Sequence, residues 1–517
     1  MFKQPAREDV LFQPLRSTGW KFYAFVACLL VVIGWAAYAY YVQLRDGLVV
    51  TGLRDINFWG IYMTNFVFFI GISHAGTLIS AILRVTGAEW RRPITRMAEA
   101  ITVFALLIGG PMILIDMGRP DRIFNLLEYG RIQSPILWDL ISISTYISGS
   151  LMYLYLPMIP DLAECRDRLT DAPAWKRWIY RTLALGWHGG EEQKRKLERG
   201  VAIMAVLIIP VAVSVHTVVS WIFGMTLRPG WHSTIFGPYF VVGAIFSGIA
   251  AILIAMVIFR RVYHLEAYLT EKHFRNLGLL LLVMDIIYIY FTLSEYITMA
   301  YGNEIADQQV MQLLFVGDFA PVFWAMILGG FVLPGLMLAL PNLIKIEMRK
   351  TATSQILRPL AAAGALAVFA VMAFTPAGAS ADLQISTMWP LVRILTILFA
   401  IGGLFWAALP TMRAHPLATI VTASVLINIA MWIKRYIIIV PTLASPRMAI
   451  QGVPSEWAHY VPSWVEWSIT AGAFAMFILL YTLFSKMFPV VSIWETSEQE
   501  HAPAHSEQRL AEGGSNV

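Results

Sequence analysis

The stretch FFIGISHAGTLISAILR, residues 68–84, decides the architecture. It is apolar enough to lie in a bilayer, yet it carries Ser73, His74, Thr77, Ser80 and Arg84. A titratable side chain in hydrocarbon is costly, so it faces a bundle interior and often marks a path for ions or ligands. Ser73, Thr77, Ser80 and Arg84 recur at spacings of 4, 3 and 4, on one helical face with His74 and Ala81 beside them. The pattern predicts a polytopic all-α membrane protein whose second span turns a polar stripe toward its neighbours. Gly71 and Gly76 would let another helix or a flat ligand approach the backbone closely.

The rest of the chain agrees. Of its 517 residues 58% are hydrophobic and 14% charged, against roughly 25% charged in soluble domains. A spanning helix needs about 20 mostly apolar residues. Twelve such runs are expected, at 20–42, 57–84, 94–117, 135–157, 199–224, 237–262, 275–300, 316–341, 357–376, 388–410, 415–440 and 464–487. The N-terminus, the even-numbered connections and the C-terminus hold 28 of the 38 Lys and Arg, and the opposite loops hold 7. That asymmetry predicts two cytoplasmic termini. A pI near 9.0 then reflects loops facing anionic lipid and does not point to nucleic acid.

Two cysteines, Cys28 and Cys165, exclude a disulfide scaffold, a thiolate metal site and covalent haem attachment. No metal site is expected. The first twenty residues lack the pattern of a removable signal.

The expected layout is an N-terminal segment (1–19), a peripheral first span and loop (20–56), a first bundle part with the site candidates (57–157) and an interfacial loop (158–198). A second four-helix bundle (199–341), an extra span pair (342–414), C-terminal spans (415–494) and a disordered tail (495–517) follow. In the interfacial loop, Trp175, Trp178 and Trp187 with Lys176, Arg177 and Arg181 suggest a helix in the headgroup layer, and a solvated loop is the alternative.

Several intramembrane residues have both a bland and a functional explanation. His74 is a satisfied interior histidine, a proton acceptor with an unperturbed pKa of about 6.5, or a haem ligand with His216 as partner. Glu99 pairs with Arg84, Arg91 or Arg96, or stands within one or two waters of His74. Gly109, Gly110 and Pro111 should break or kink the third span and bring Asp116 and Arg119 to a mouth shared with Asp139. Asp139 also suits the dipole of a helix begun by Ser134 and Pro135. His216, Glu295 and Asp285 are candidates for a proton path, and pairs such as Asp285 with Lys434 are the alternative.

The segments GISHAGTLISAILR, RMAEAITVFA, GRP, SPILWDLISISTYISGS, LPMIPDLAECRD, LALGW, SVHTVVSWIFGMTLRPGWHSTIFGPYFVVGAIFSG and FPVVSIWE resemble the NrfD/polysulfide-reductase-C-like membrane proteins. Within them the chain is most similar to the larger integral membrane protein (ActC) of bacterial alternative complex III. The resemblance runs from about residue 57 to 340 and again from 415 to 495. It implies two four-helix bundles in a bacterial inner membrane and a quinol site holding menaquinol or ubiquinol. Neither haem nor an iron–sulfur cluster would lie on this chain.

The implied partners are an iron–sulfur subunit, a multihaem cytochrome c subunit, a second NrfD-like membrane subunit and small membrane subunits. Proton movement is a further implied role. The family's site candidates fall on His74, Glu99 and Asp139, with Asp116, Arg119, Tyr146 and Gly76 around the quinol. Two departures stand out: twelve spans against the family's ten, and Lys434 where relatives commonly carry an acid. Quinol oxidation needs bases within about 2.6–3.2 Å of the hydroxyls, which His and buried carboxylates supply. The rival functions are a membrane anchor for a molybdopterin reductase and a twelve-span secondary transporter.

Overall fold

The computed structural model describes residues 9–226, 228–343, 408–445, 454, 457 and 459–496, apart from the side chains of Asp9, Ala75 and Thr77. Among these residues every regular element is helical. The first helices are α1 (Asp9–Arg16), α2 (Trp20–Asp46), α3 (Ile61–Val85), α4 (Arg92–Asp116) and α5 (Ile123–Glu128). They are followed by α6 (Pro135–Arg168), α7 (Ala174–Leu183), α8 (Glu191–Met225), α9 (Phe236–Val262), α10 (Glu271–Gly302) and α11 (Ile305–Phe315). Next, α12 (Ala320–Trp324) runs through a π-helical segment, Ala325–Val332, into α13 (Leu333–Leu343). The last two are α14 (Pro416–Leu443) and α15 (Trp464–Met487).

Ten of the twelve expected spans are helices. Among the described residues nine stretches are long and apolar enough to cross a membrane. The tenth helix, α6, is diluted by hydroxyls that bond back to its own backbone: Ser142 to the Asp139 carbonyl (3.0 Å), Thr145 to Ile141 (2.8 Å) and Ser148 to Ser144 (2.8 Å). Such back-bonding satisfies a hydroxyl without any partner helix. The pair expected at 357–376 and 388–410 lies outside the described residues, but for 408–410.

α3 is the axis of the molecule. Its described side chains from Ile61 to Ala81 are all buried, and it packs on α4, α8, α9, α14 and α15. Because α3 is enclosed on every side, its polar stripe does not mark a single inward face. At Gly76 a Cβ would collide with the Ala98 carbonyl and Thr102 Oγ1 of α4. Thr102 Oγ1 in turn donates to the Ser73 carbonyl (2.6 Å). Gly76 is therefore a helix-crossing residue and faces no ligand. Gly76→Leu should force α3 from α4 and lower thermal stability by about 1–3 kcal/mol or more, read as a reduced melting temperature of the purified protein.

The first four-helix bundle is α3, α4, α6 and α8; the second is α9, α10, α13 and α14, and α3 joins them through α9. The boundary falls at the loop after α8, not at 158–198. α8 is the fourth wall of the first bundle because it packs against both α6 and α3. α4 runs unbroken from Arg92 to Asp116 through Pro111, so the expected break is absent. Gly109 is instead packed close to Phe69 and Ile70.

The motif RPGWHSTIFGP closes one end of the molecule between the bundles. Trp231 is 1% exposed, donates Nε1–H to the Ile438 carbonyl (2.7 Å) and stacks on Trp59 at 5.9 Å. Gly230, at φ +74°, donates its amide to Asp307 (2.9 Å). Also at this end, burial and the neighbouring Glu466 carboxylate push the Tyr460 phenol well above its ordinary range. Tyr460 donates to Glu466 (2.5 Å) and accepts the Ile61 amide (2.9 Å).

At the opposite end the FPVVSIWE segment folds back onto the bundle. Glu495, expected in the tail, is buried. It pairs with Arg84 and Arg91 and accepts from Thr95 (3.3 Å). The rest of the expected tail, 497–517, lies outside the described residues. Arg96 and Asp161, both fully buried, pair at 2.9 Å, and Asp161 also accepts the amides of Ile493 and Trp494. The long loop holds helix α7 as expected, with Trp175 and Trp178 exposed. Lys176 does not join them: it is buried and donates to the Leu15 and Lys486 carbonyls (both 2.8 Å), and that burial pushes its ammonium pKa down.

Candidate functional site

The titratable residues of the first bundle fall into three levels along α3. The middle level joins His74, His216 and Tyr146. The His74 and His216 rings lie 3.8 Å apart, centroid to centroid, and Tyr146 lies 4.8 Å from His74. His74 Nδ1 is 2.8 Å from the Ile70 carbonyl, and Nε2 contacts the Ala212 carbonyl of α8. Both of its nitrogens therefore face acceptors. His216 is the opposite case. It is 1% exposed, and neither ring nitrogen has a hydrogen-bond partner among the described residues.

The outer level is Asp139, on α6. Trp138 and Trp221 pair at 6.5 Å, which fixes the register of α6 against α8. By that register Asp139 stands about one turn, roughly 6 Å, on the outer side of His216. It is 4% exposed, and its Oδ1 also lacks a partner among the described residues. A buried polar atom left unpaired costs about 1–3 kcal/mol. These three atoms lie on α6 and α8, which pack against each other, and such atoms are the pattern expected where a polar ligand or ordered water completes a site.

The inner level is Glu99. It accepts from Ser80 Oγ (2.8 Å), which lies 3.2 Å from the Tyr153 hydroxyl. Ser80 follows His74 by six residues, about 9 Å along the helix. None of the expected partners Arg84, Arg91 and Arg96 forms an ion pair with Glu99, because Glu495 and Asp161 take them.

The mouth expected from Asp116, Arg119 and Asp139 is not assembled. Arg119 is exposed and makes a two-point contact with Asp121 (3.0 and 2.8 Å). Asp116 lies near enough to Tyr62 and Glu466 to interact electrostatically, on the α15 side of α3. The short 3₁₀ turn Pro120–Arg122 places an acid two residues from Arg119, and a neighbour that close outcompetes a distant one.

In the second bundle Lys434 pairs with Glu295 (2.9 Å), not with Asp285. The rings of Tyr239 and Tyr296 lie 5.1 and 5.3 Å from its ammonium. Both oxygens of Asp285 lack a partner among the described residues, and a Cβ on Gly335 would collide with one of them. Arg435 donates to the Met431 carbonyl (3.0 Å) and lies against Gly71 and Gly243. Glu295 and His216 belong to different bundles and make no contact with each other among the described residues. At the end closed by RPGWHSTIFGP, His232, Glu304 and Asp307 bring ligand atoms within 4.8 Å. Glu304 and Asp307 sit at the start of α11, where carboxylates already complement the helix dipole, so the cluster does not require a metal.

In the sequence His216 stands out as a partner for His74 and a proton-path station, but its lack of any bond partner is not readable there. Asp161, Arg96 and Glu495 were missed as a group. The signal was an acid beside Pro160 and another in SIWE, each within reach of the arginines between α3 and α4.

The sequence that builds this bundle matches a known family. The chain belongs to the NrfD polysulphide reductase family, whose pattern covers residues 49–357. It is 30% identical over 321 residues to a Halobacterium salinarum protein assigned as a membrane component of a dimethyl sulfoxide reductase, covering 62% of this chain and 69% of that one. It is 24% identical to a component of the selenate reductase of Mesobacillus selenatarsenatis, covering 59% and 71%. An Hdr-like menaquinol oxidoreductase integral membrane subunit of Archaeoglobus fulgidus is also 24% identical, covering 64% and 75%.

Proposed function

We propose that this chain is the integral quinol-binding subunit of a membrane oxidoreductase, of the type of alternative complex III. The quinol headgroup lies in the seam between α6 and α8, bonded on one side by Asp139 and on the other by His216. The observation that carries this assignment is the group of unpaired atoms there, Asp139 Oδ1 and both His216 nitrogens. A hydroquinone presents two hydroxyl donors, one at each end of its ring. An acceptor at each end of the seam fits that symmetry.

Oxidation of the quinol to quinone releases two protons and two electrons. One proton passes to a His216 nitrogen and the other to the Asp139 carboxylate. The electrons leave for an iron–sulfur subunit on the outer face and go from there to the c-type haems of a further partner. His74 positions His216: its nitrogens are taken by carbonyls and its ring packs 3.8 Å away. Glu99 with Ser80 and Tyr153, and Glu295 with Lys434 and Asp285, are candidate stations for proton movement. The menaquinol oxidoreductase named among the relatives supports a quinol substrate.

The relatives named as parts of reductases favour a second reading, in which the electron acceptor is a terminal reductase. In that case the quinol chemistry at His216 and Asp139 is unchanged. A secondary transporter finds no counterpart among these relatives.

The test is Asp139→Asn in the assembled complex. Turnover with a short-chain quinol should fall about 10²-fold or more while every partner polypeptide stays bound. Normal turnover with only a shifted melting temperature would reduce Asp139 to a helix-dipole residue.

A further inference from the structure

A cavity of about 210 Å³ opens between α10, α13 and α14, beside Glu271 of α10, Asn342 of α13 and Pro416 of α14. By the distribution of Lys and Arg these helix ends are cytoplasmic. Apart from Thr419, its inner walls are apolar, with Leu338, Leu417 and Ile420 among them, and Arg275 and Arg413 stand at its edge. Phe274 forms part of the wall, and the Arg260 guanidinium lies over its ring at 5.9 Å. α10 and α14 both begin at the cavity, so two positive helix ends converge on it. Glu271, in the first turn of α10, complements that dipole.

We propose that this groove binds an anionic phospholipid of the cytoplasmic leaflet. The cavity is smaller than the roughly 300–1,000 Å³ pockets that enclose a drug-sized ligand. It suits one acyl chain laid against Leu338 and Ile420 while the headgroup stays outside. The phosphate then meets Arg275 and Arg413. Basic pockets between membrane helices on the cytoplasmic side recognise acidic headgroups in this way. The apolar wall has no use for a free phosphate ion, so lipid is the occupant the chemistry selects. The assignment does not depend on the quinol site, which lies in the other bundle.

The full chain, purified with its partners, is exchanged into nanodiscs of phosphatidylcholine with or without phosphatidylglycerol. Retained lipid is counted by native mass spectrometry, and melting temperature is recorded in parallel. The wild type should retain phosphatidylglycerol in preference and melt higher with it. The double variant R275Q/R413Q should lose that preference by about thirtyfold, the effect expected from removing two juxtamembrane cations. Ile420→Trp, which fills the apolar wall and leaves the charges in place, should also displace the lipid; this second variant covers the case in which the arginine variant fails to fold. Equal retention of both lipids by the wild type overturns the proposal. Stabilisation by inorganic phosphate alone, equal to that by phosphatidylglycerol, also overturns it in favour of a soluble-anion site.

Discussion

Replacing His216 with alanine in the assembled complex is expected to lower quinol-driven acceptor reduction by about 10²–10⁴-fold, the usual contribution of a positioned base. Its nitrogens carry no structural bond among the described residues, so the fold loses only the packing of the ring against His74. Melting temperature should therefore change little while turnover collapses. His74→Ala should behave differently. Removing the ring that contacts the Ile70 and Ala212 carbonyls frees α3 and α8 to shift, so stability and turnover should fall together. If His74→Ala abolishes turnover at full stability while His216→Ala keeps normal turnover, the roles of the two imidazoles are exchanged. Steady-state kinetics with a soluble quinol and calorimetry on the same preparations separate the two cases.

The second large effect lies where the FPVVSIWE segment packs on the bundle. Arg96→Met leaves Asp161 as a buried carboxylate with two backbone amides and no cation, and a broken buried pair costs about 3–5 kcal/mol. That should appear as a marked loss of assembled protein and a lower melting temperature. The double variant R96M/D161L should recover part of the loss, because replacing both ions with apolar groups removes the uncompensated charge. Recovery stays incomplete, since the amides of Ile493 and Trp494 lose their acceptor. A double variant no better than R96M would mean that the tail contact, and not the ion pair, holds this end together.

The fold was legible in the sequence because length and apolarity suffice to find a membrane helix. Ten spans fell where hydropathy put them, including α6, whose hydroxyls lower its apolarity but which the run at 135–157 still revealed. The partners of polar residues were less legible. Spacing located Ser80, Glu99 and Arg84 at one end, yet could not tell that Glu495 would return from the far end of the chain to take Arg84. Similarly, Lys434 was one turn from suitable depth for either Asp285 or Glu295, and side-chain direction decided for Glu295. Gly76 and Gly71 look alike as small residues in one helix. One meets the backbone of α4 and the other a guanidinium, a difference set by rotation about the helix axis, which no linear pattern records.

The enclosure of α3 carries a consequence for biogenesis. Asn65 is bonded to Thr470, 405 residues further on, and to Trp432. At a synthesis rate of roughly 5–20 residues per second, α3 leaves the ribosome about 20–80 seconds before those companions exist. During that interval Asn65 must be shielded by the insertion machinery or by provisional neighbours. A nascent chain halted before α15 would leave Asn65 without Thr470 and become a natural target for membrane proteases.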